Sequence, residues 1–207
     1  MARTPIRDVR SAFVVSLVSV VWTVASGGAA IALGIASGSA VLVAFGAIGF
    51  VDAAGSVALA YHFHHGLRHD ELSDEIEKLA HRVVLMGLVT VGAAAFAGGL
   101  FRLFTKQSAH ASAAGIVLAA VSLVVMPLLA RAKRRVSSRL GSAAMNADAM
   151  QTQFCTYLSA ILLAGLLLNA LAGWWWADPV AALVMVPLML REGVEGIQGK
   201  TCCAHCA

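Results

Sequence analysis

The fold is decided by residues 11–51, which read SAFVVSLVSVVWTVASGGAAIALGIASGSAVLVAFGAIGFV without one Asp, Glu, Lys or Arg. A helix needs about 20 mostly apolar residues to cross a hydrocarbon core about 30 Å thick. Because this stretch is about twice that length, it holds one complete span and the start of a second. The Gly and Ser residues of 34–39 favour a tight turn between the two.

Charge-free runs recur along the rest of the chain, at 53–67, 83–101, 107–130 and 149–177. The 207 residues are 59% hydrophobic and 13% charged, with a mean hydropathy of +0.82, whereas about a quarter of a soluble domain is charged. We therefore predict an all-α polytopic membrane protein with a six-transmembrane-helix bundle. The predicted spans are 11–33, 39–63, 82–104, 109–130, 143–171 and 174–191. The run after Arg10 is longer than the apolar core of a cleaved signal and predicts a retained first helix.

The basic residues predict the orientation. With six spans, thirteen of the fifteen Lys and Arg residues fall on the side that holds both termini, and only Arg102 and Lys106 fall on the other. Cytoplasmic segments carry the excess of basic residues, so we predict cytoplasmic N- and C-termini. The thirteen are Arg3, Arg7, Arg10, Arg68, Lys78, Arg82, Arg131, Lys133, Arg134, Arg135, Arg139, Arg191 and Lys200.

The connections are predicted from local signals. Residues 64–81 and the basic run 131–142 are predicted to link spans on the cytoplasmic side. Asp178 followed by Pro179 is typical of an N-cap and the first position of the sixth helix. We divide the chain into a transmembrane domain at 1–195 and a short Cys/His-containing cytoplasmic tail at 196–207.

Asp52 is the most informative single residue. It lies near the middle of the second predicted span, where a carboxylate costs at least about 2.5–3.5 kcal/mol on insertion scales. Such a residue normally faces the bundle interior, pairs with a partner or lines an ion path. The alternative is a protonated Asp that hydrogen-bonds to a neighbouring helix.

The fifth span carries a polar stripe. Asp148, Gln151, Thr152 and Cys155 follow at i, i+3, i+4 and i+7, which places them on one helical face. They are followed by aliphatic residues, so the stripe favours a cavity lining on the cytoplasmic half. Asp148 at a solvated membrane surface, Gln151 as a bond between helices and Cys155 as an ordinary buried thiol are the alternatives.

Asp52, Gln151 and Cys155 would supply oxygen and thiolate donors around one point. Zinc accepts such a mixed set, and the thiol must lose its proton on binding. The soft sulfur ligand argues against magnesium and calcium. We predict a metal site made of Asp52, Gln151, Cys155 and Asp148.

Two further clusters could collect metal on the cytoplasmic side. The segment from His62 to His69 contains four histidines and is followed by acidic residues. The tail holds Cys202, Cys203, His205 and Cys206, which suit soft metals if the thiols stay reduced. A solvated connector and a passive tail are the alternatives.

Several function classes are disfavoured. The chain has no Gly-rich nucleotide-binding loop, nucleophile elbow or metalloprotease pair, so we predict that it is not an enzyme and has no cofactor. The net charge of +4 is explained by membrane topology and implies no nucleic-acid partner.

The sequence resembles the cation diffusion facilitator (cation efflux) family over nearly its whole length, in a compact form that lacks the C-terminal cytoplasmic domain. The resemblance is carried by residues 45–52, which are similar to the family's second helix, and by 146–159, 173–182 and 191–193, which are similar to its fifth and sixth helices. It implies six helices and a transport site between the second and fifth. It also implies exchange of zinc or a similar divalent ion for protons, often by a homodimer. Its implied location is the bacterial inner (plasma) membrane.

The sequence departs from the family pattern at three positions. The family usually has two acids four residues apart on the second helix, and here Ile48 replaces the first. Gln151 stands where the family usually has His or an acid, and Cys155 stands where the family often has Asp. We predict a zinc-first cation transporter. The rival prediction is a non-transporting membrane protein that keeps the fold and binds metal or a partner.

Overall fold

The computed structural model of the protein describes the backbone of residues 6–69, 74–106, 109–110 and 112–197. Side chains are described at 8–61, 63–64, 86–87, 89–106, 109–110, 112–142 and 145–191. The described residues form six helices and no strand, which confirms the all-α prediction. The helices are α1 (Ile6–Ser37), α2 (Ala40–His69), α3 (Asp74–Thr105), α4 (Ala113–Leu140), α5 (Ala143–Ala172) and α6 (Ala177–Ile197).

Lipid explains why all six elements are helices. The bilayer core offers no water to backbone N–H and C=O groups, and a helix satisfies these groups within one segment. Among the described residues, four stretches are long and apolar enough to cross a membrane: Asp8–Ser37, Ala40–Tyr61, Ala113–Leu140 and Met145–Ala172. Val89–Thr105 is a shorter apolar helix. Each predicted span lies mainly within one of the six helices.

The second helix occupies the centre of the bundle. α2 packs against α1, α3, α5 and α6, while α4 packs against α1 and α5. The largest core cluster accordingly joins side chains of five helices, including Phe45 and Ile48 of α2, Met126 of α4, Leu158 of α5 and Met185 of α6. A polar residue on the inner face of α2 is therefore surrounded by other helices instead of lipid.

Small residues bring α1 and α2 close together. A Cβ built on Gly46 would lie 2.6 Å from the carbonyl oxygen of Gly27 and 2.9 Å from the backbone nitrogen of Ile31. Both obstacles are backbone atoms, which cannot rotate away. Glycine at 46 therefore sets the distance between these two helices, as small residues do at helix contacts in membranes.

The basic run 131–139 forms the last turns of α4, which corrects the predicted connector at 131–142. α4 continues to Leu140, and Gly141 ends it in the left-handed conformation with φ 61°. Ser142 then caps α5 by accepting a hydrogen bond from the Met145 N–H. A Gly followed at once by a capping Ser makes the reversal short, so the charges of the run lie on a helix.

The prediction that Asp178 caps α6 is wrong, because its carboxylate bonds to a different helix. α6 begins at Ala177, so Asp178 lies inside its first turn. The Asp178 carboxylate accepts a hydrogen bond from the Ala40 N–H at 2.8 Å and another from the Ser39 hydroxyl. It thus satisfies donors at the N-terminus of α2, where a negative charge is also favoured by the helix dipole. Asp178 therefore has the structural role that was predicted, but it caps α2 instead of α6.

The predicted cytoplasmic connector at 64–81 is also helical at both ends, because α2 runs to His69 and α3 starts at Asp74. Most side chains of the His62–His69 cluster lie outside the described residues. Residues 198–207 of the Cys/His tail lie outside them as well. Their predicted metal collection stays a prediction.

The close contact of α1 and α2 gives a first testable prediction. Gly46→Ala should destabilise the protein by about 1–3 kcal/mol, because the added methyl overpacks two backbones. Gly28→Ala is the matched control, since a Cβ there meets nothing within 4 Å. Thermal unfolding in detergent compares the two, and equal melting temperatures for both variants would contradict the packing argument.

Candidate metal site

Asp52 is buried in the centre of the bundle. Its residue exposure is 1%, and neither carboxylate oxygen has a hydrogen-bond partner. A buried acceptor without a partner loses its hydration without compensation. Asp52 thus faces the bundle interior, as expected for a carboxylate on the second helix. Both of its oxygens remain available to bind a cation.

The polar stripe of α5 faces the same interior. Asp148 and Gln151 are each 8% exposed, Cys155 is 2% exposed, and Thr152 is completely buried. The side-chain nitrogen of Gln151 has no hydrogen-bond partner. Cys155 is not in a disulfide. The four side chains therefore share one buried face of α5, as their spacing predicts.

Lys133 is the residue that sequence reasoning missed. The sequence pattern places it in a basic cytoplasmic connector, but its side chain is fully buried. Its ammonium lies 2.7 Å from Asp148 Oδ2 and donates to Thr152 Oγ1 at 2.8 Å and to Ser56 Oγ at 3.0 Å. All three N–H donors of the ammonium are matched by oxygen atoms.

The spacing of Lys133 from the buried residues of α4 predicts its burial. The buried face of α4 includes Ser122, Met126, Ala130 and Lys133, at intervals of three or four residues. This is the spacing of one helical face. The neighbouring Arg134 is exposed. Continuing the apolar stripe of α4 through the basic run would have singled out Lys133.

Asp148 is the counter-ion of this ammonium. One of its oxygens contacts Lys133, and the other accepts a hydrogen bond from Ser56 at 3.0 Å. The alternative that Asp148 is a solvated surface residue is therefore wrong. Each Asp148 oxygen therefore has a partner, whereas neither Asp52 oxygen has one.

The contact of Ser56 with Asp148 fixes the register of two antiparallel helices. The start of α5 thus lies beside the middle of α2, while its end lies near the start of α2, as bonds from Asn169 to Ala109 and from His110 to Ser37 show. One turn from Ser56 towards the start of α2 is Asp52, and one turn from Asp148 along α5 is Thr152. Asp52 therefore lies level with Thr152, whose neighbours on the same face are Gln151 and Cys155.

Charge distinguishes the two carboxylates. The positive charge of Lys133 and the negative charge of Asp148 both act on Asp52, with opposite signs. The three side chains together contain two acids and one base. The charges of Lys133 and Asp148 cancel each other. When Asp52 is ionised, the three side chains therefore carry a net charge of one negative. Such a charge favours a cation close by.

The donor set is small. Among residues whose side chains are described, no three of His, Cys, Asp and Glu are grouped so as to hold a metal ion. Asp52 therefore belongs to no such group, and by register Gln151 and Cys155 lie on the α5 face at the level of Thr152, beside Asp52. One turn beyond Asp52, Ile48 is 1% exposed and belongs to the apolar core cluster that also contains Cys155.

The arrangement of the six helices agrees with a comparison with protein families. Residues 16–197 match the model described as the cation efflux transmembrane domain. This range starts in α1 and ends at the last residue of α6, so it contains Asp52, Lys133 and the α5 stripe. No curated protein matches the chain at a significant level.

The buried ion pair gives a second prediction. Lys133→Met should lower the free energy of unfolding by about 3–5 kcal/mol, because Asp148 is left as an unpaired buried charge. Lys133→Met/Asp148→Asn should lose less than Lys133→Met alone, because no charge is then left unpaired. Unfolding in mixed detergent micelles measures both.

The exposed pair of Arg139 and Asp8 provides the control for that cycle. Its atoms are 4.0 Å apart and the Arg139 side chain is 67% exposed. Arg139→Met should therefore cost less than about 1 kcal/mol. Equal losses for Arg139→Met and Lys133→Met would contradict the importance of the buried pair.

Proposed function

The chain belongs to the cation efflux family, and on that premise we propose that it exports a divalent transition-metal cation, zinc first, in exchange for protons. The family's members are transporters. The cation crosses by alternating access at a site between α2 and α5. Both termini lie in the cytoplasm, and the bundle is integral to the bacterial inner membrane. A homodimer stays a prediction from the family resemblance.

The observation that carries this proposal is the open carboxylate of Asp52. It is buried at the centre of the bundle with two oxygens that bind nothing, whereas the nearby Asp148 is paired with Lys133. An unpaired charge inside a membrane protein is costly. A cation that binds Asp52 recovers part of that cost, so the cost favours cation binding.

The donors near Asp52 suit zinc. In the proposed site, Asp52 supplies a carboxylate oxygen, Gln151 an amide oxygen and Cys155 a thiolate, and water completes a tetrahedral set. Deprotonated Asp52 and Cys155 together carry two negative charges, and the Lys133–Asp148 pair adds none. The site then matches the charge of a divalent cation. Asp148, also predicted as a ligand, serves in this proposal as the counter-ion of Lys133.

The same donors support proton exchange. A thiol must lose its proton before it binds a metal, and a carboxylate must be ionised, so metal binding releases protons. When the cation leaves on the other side, Asp52 and Cys155 take up protons again. Exchange of one divalent cation for protons therefore follows from the chemistry of two side chains.

Ile48 favours the rival function. It fills the position one turn from Asp52 with a buried apolar side chain, where the resemblance leads one to expect a second acid. A membrane protein that keeps the bundle and binds metal without moving it would need fewer ligands. This rival predicts bound zinc without any flux.

Flux in proteoliposomes tests the proposal. Asp52→Asn should reduce zinc uptake into vesicles that contain a zinc-sensitive dye by about tenfold or more, because a charged ligand becomes a neutral amide. Asp8→Asn makes the same chemical change at a partly exposed position near the start of α1 and should leave flux unchanged.

Two outcomes contradict the proposal in different ways. Equal zinc flux in the original chain and in Asp52→Asn removes Asp52 from the site. Zinc binding without flux in the original chain, in vesicles with an imposed proton gradient, replaces transport by the rival function.

A further inference from the structure

Lys133 holds a set of oxygen donors beside the proposed transport site. Its ammonium contacts one carboxylate oxygen of Asp148 and the hydroxyl oxygens of Ser56 and Thr152, all within 3.0 Å. These three side chains come from α2 and α5, the helices between which the cation is proposed to cross. The ammonium therefore lies where a hard metal cation would find its ligands.

Hard and soft cations differ in what they need from these helices. Calcium takes six to eight oxygen ligands, and magnesium requires a nearly ideal octahedron. Manganese likewise favours carboxylate, carbonyl and water oxygens. Zinc and cadmium bind with fewer ligands and accept a thiolate. With Lys133 in place, the carboxylate at the site is Asp52 alone, and Cys155 supplies the sulfur.

We propose that Lys133 is a specificity-determining residue, whose ammonium occupies the oxygen donors of Asp148, Ser56 and Thr152 and so excludes hard divalent cations from the transport site. This inference rests on the proposed function and adds the selectivity of the same site. Lys133 acts through Asp148 and the two hydroxyls without touching the transported ion, so it is a positioning residue.

Two features of the structure make the exclusion effective. The ammonium is fully buried and bonded to three oxygens, so an incoming cation must break all three contacts to displace it. The ammonium also repels a second cation at short range inside a low-dielectric bundle. A thiophilic cation avoids both costs because it binds Asp52 and Cys155 and leaves the Lys133 pair intact.

Metal binding to the purified full-length chain in detergent tests the inference. Cys202, Cys203 and Cys206 are replaced by Ser throughout, so that Cys155 is the only thiol. Manganese binding is followed by electron paramagnetic resonance, and cadmium binding by the ultraviolet absorption of the cadmium–thiolate bond. The variants are Lys133→Met, Lys133→Gln and Lys133→Met/Asp148→Asn.

The expected result is a gain of function. Lys133→Met should bind manganese at least about tenfold more tightly than the parent, because a carboxylate and two hydroxyls become free to serve as ligands and ligand charge sets affinity. Lys133→Met/Asp148→Asn should lose that gain and still bind cadmium. A purely structural role for Lys133 predicts weaker binding of both metals and no gain.

Two manganese results would overturn the inference. No manganese gain in Lys133→Met, or the same gain in the double variant, overturns the inference. If Lys133→Met does not fold, Lys133→Gln takes its place, because its amide can still bond to Ser56 and Thr152 while the Asp148 carboxylate is freed. A manganese gain is then expected from Asp148 alone, and no gain overturns the inference.

Cadmium binding by the parent reports separately on the proposed site. Loss of cadmium binding in Asp52→Asn and Cys155→Ser supports that site, whatever manganese does. A parent that binds no cadmium, together with a Lys133→Met variant that gains manganese, overturns the proposed metal site while showing that Lys133 blocks the oxygen donors of Asp148, Ser56 and Thr152.

Discussion

The buried ammonium of Lys133 is the interaction on which the interior depends. It joins α4 to α2 through Ser56 and to α5 through Asp148 and Thr152. Moving each ion of such a pair out of water costs several kcal/mol, and the attraction repays this only when the remaining bonds are satisfied. Here every N–H of the ammonium has an oxygen. Because this pair is closed, Asp52 stands out as the carboxylate with open electron pairs.

The helical fold could be predicted from the sequence because lipid imposes a strong constraint. Runs without charge, such as residues 11–51, permit little besides helices long enough to cross the bilayer. The ends of the helices were predicted less well. The basic residues after Ala130 suggested water, but α4 continues to Leu140, since the exposed arginines of a helix can lie outside the hydrocarbon. Asp178 caps α2, a contact across 138 residues that local sequence signals do not contain.

The candidate site could be predicted only in part. Asp52 could be predicted from the free-energy cost of a carboxylate within a membrane span. The α5 stripe could be predicted from the helical periodicity of its four polar residues. Lys133 was hidden in a run of five basic residues whose count predicts orientation, and such a count treats each cation alike. The pairing of Lys133 with Asp148 depends on the packing of α4 against α5, which the sequence does not state.

The most direct test of the account is the position of the cation itself. We would measure the anomalous difference density of the full-length protein crystallised with cadmium. We predict a peak bonded to an Asp52 oxygen and the Cys155 sulfur, with Lys133 still paired to Asp148. A peak confined to the His62–His69 segment or to the Cys/His tail, with none beside Asp52, would contradict it.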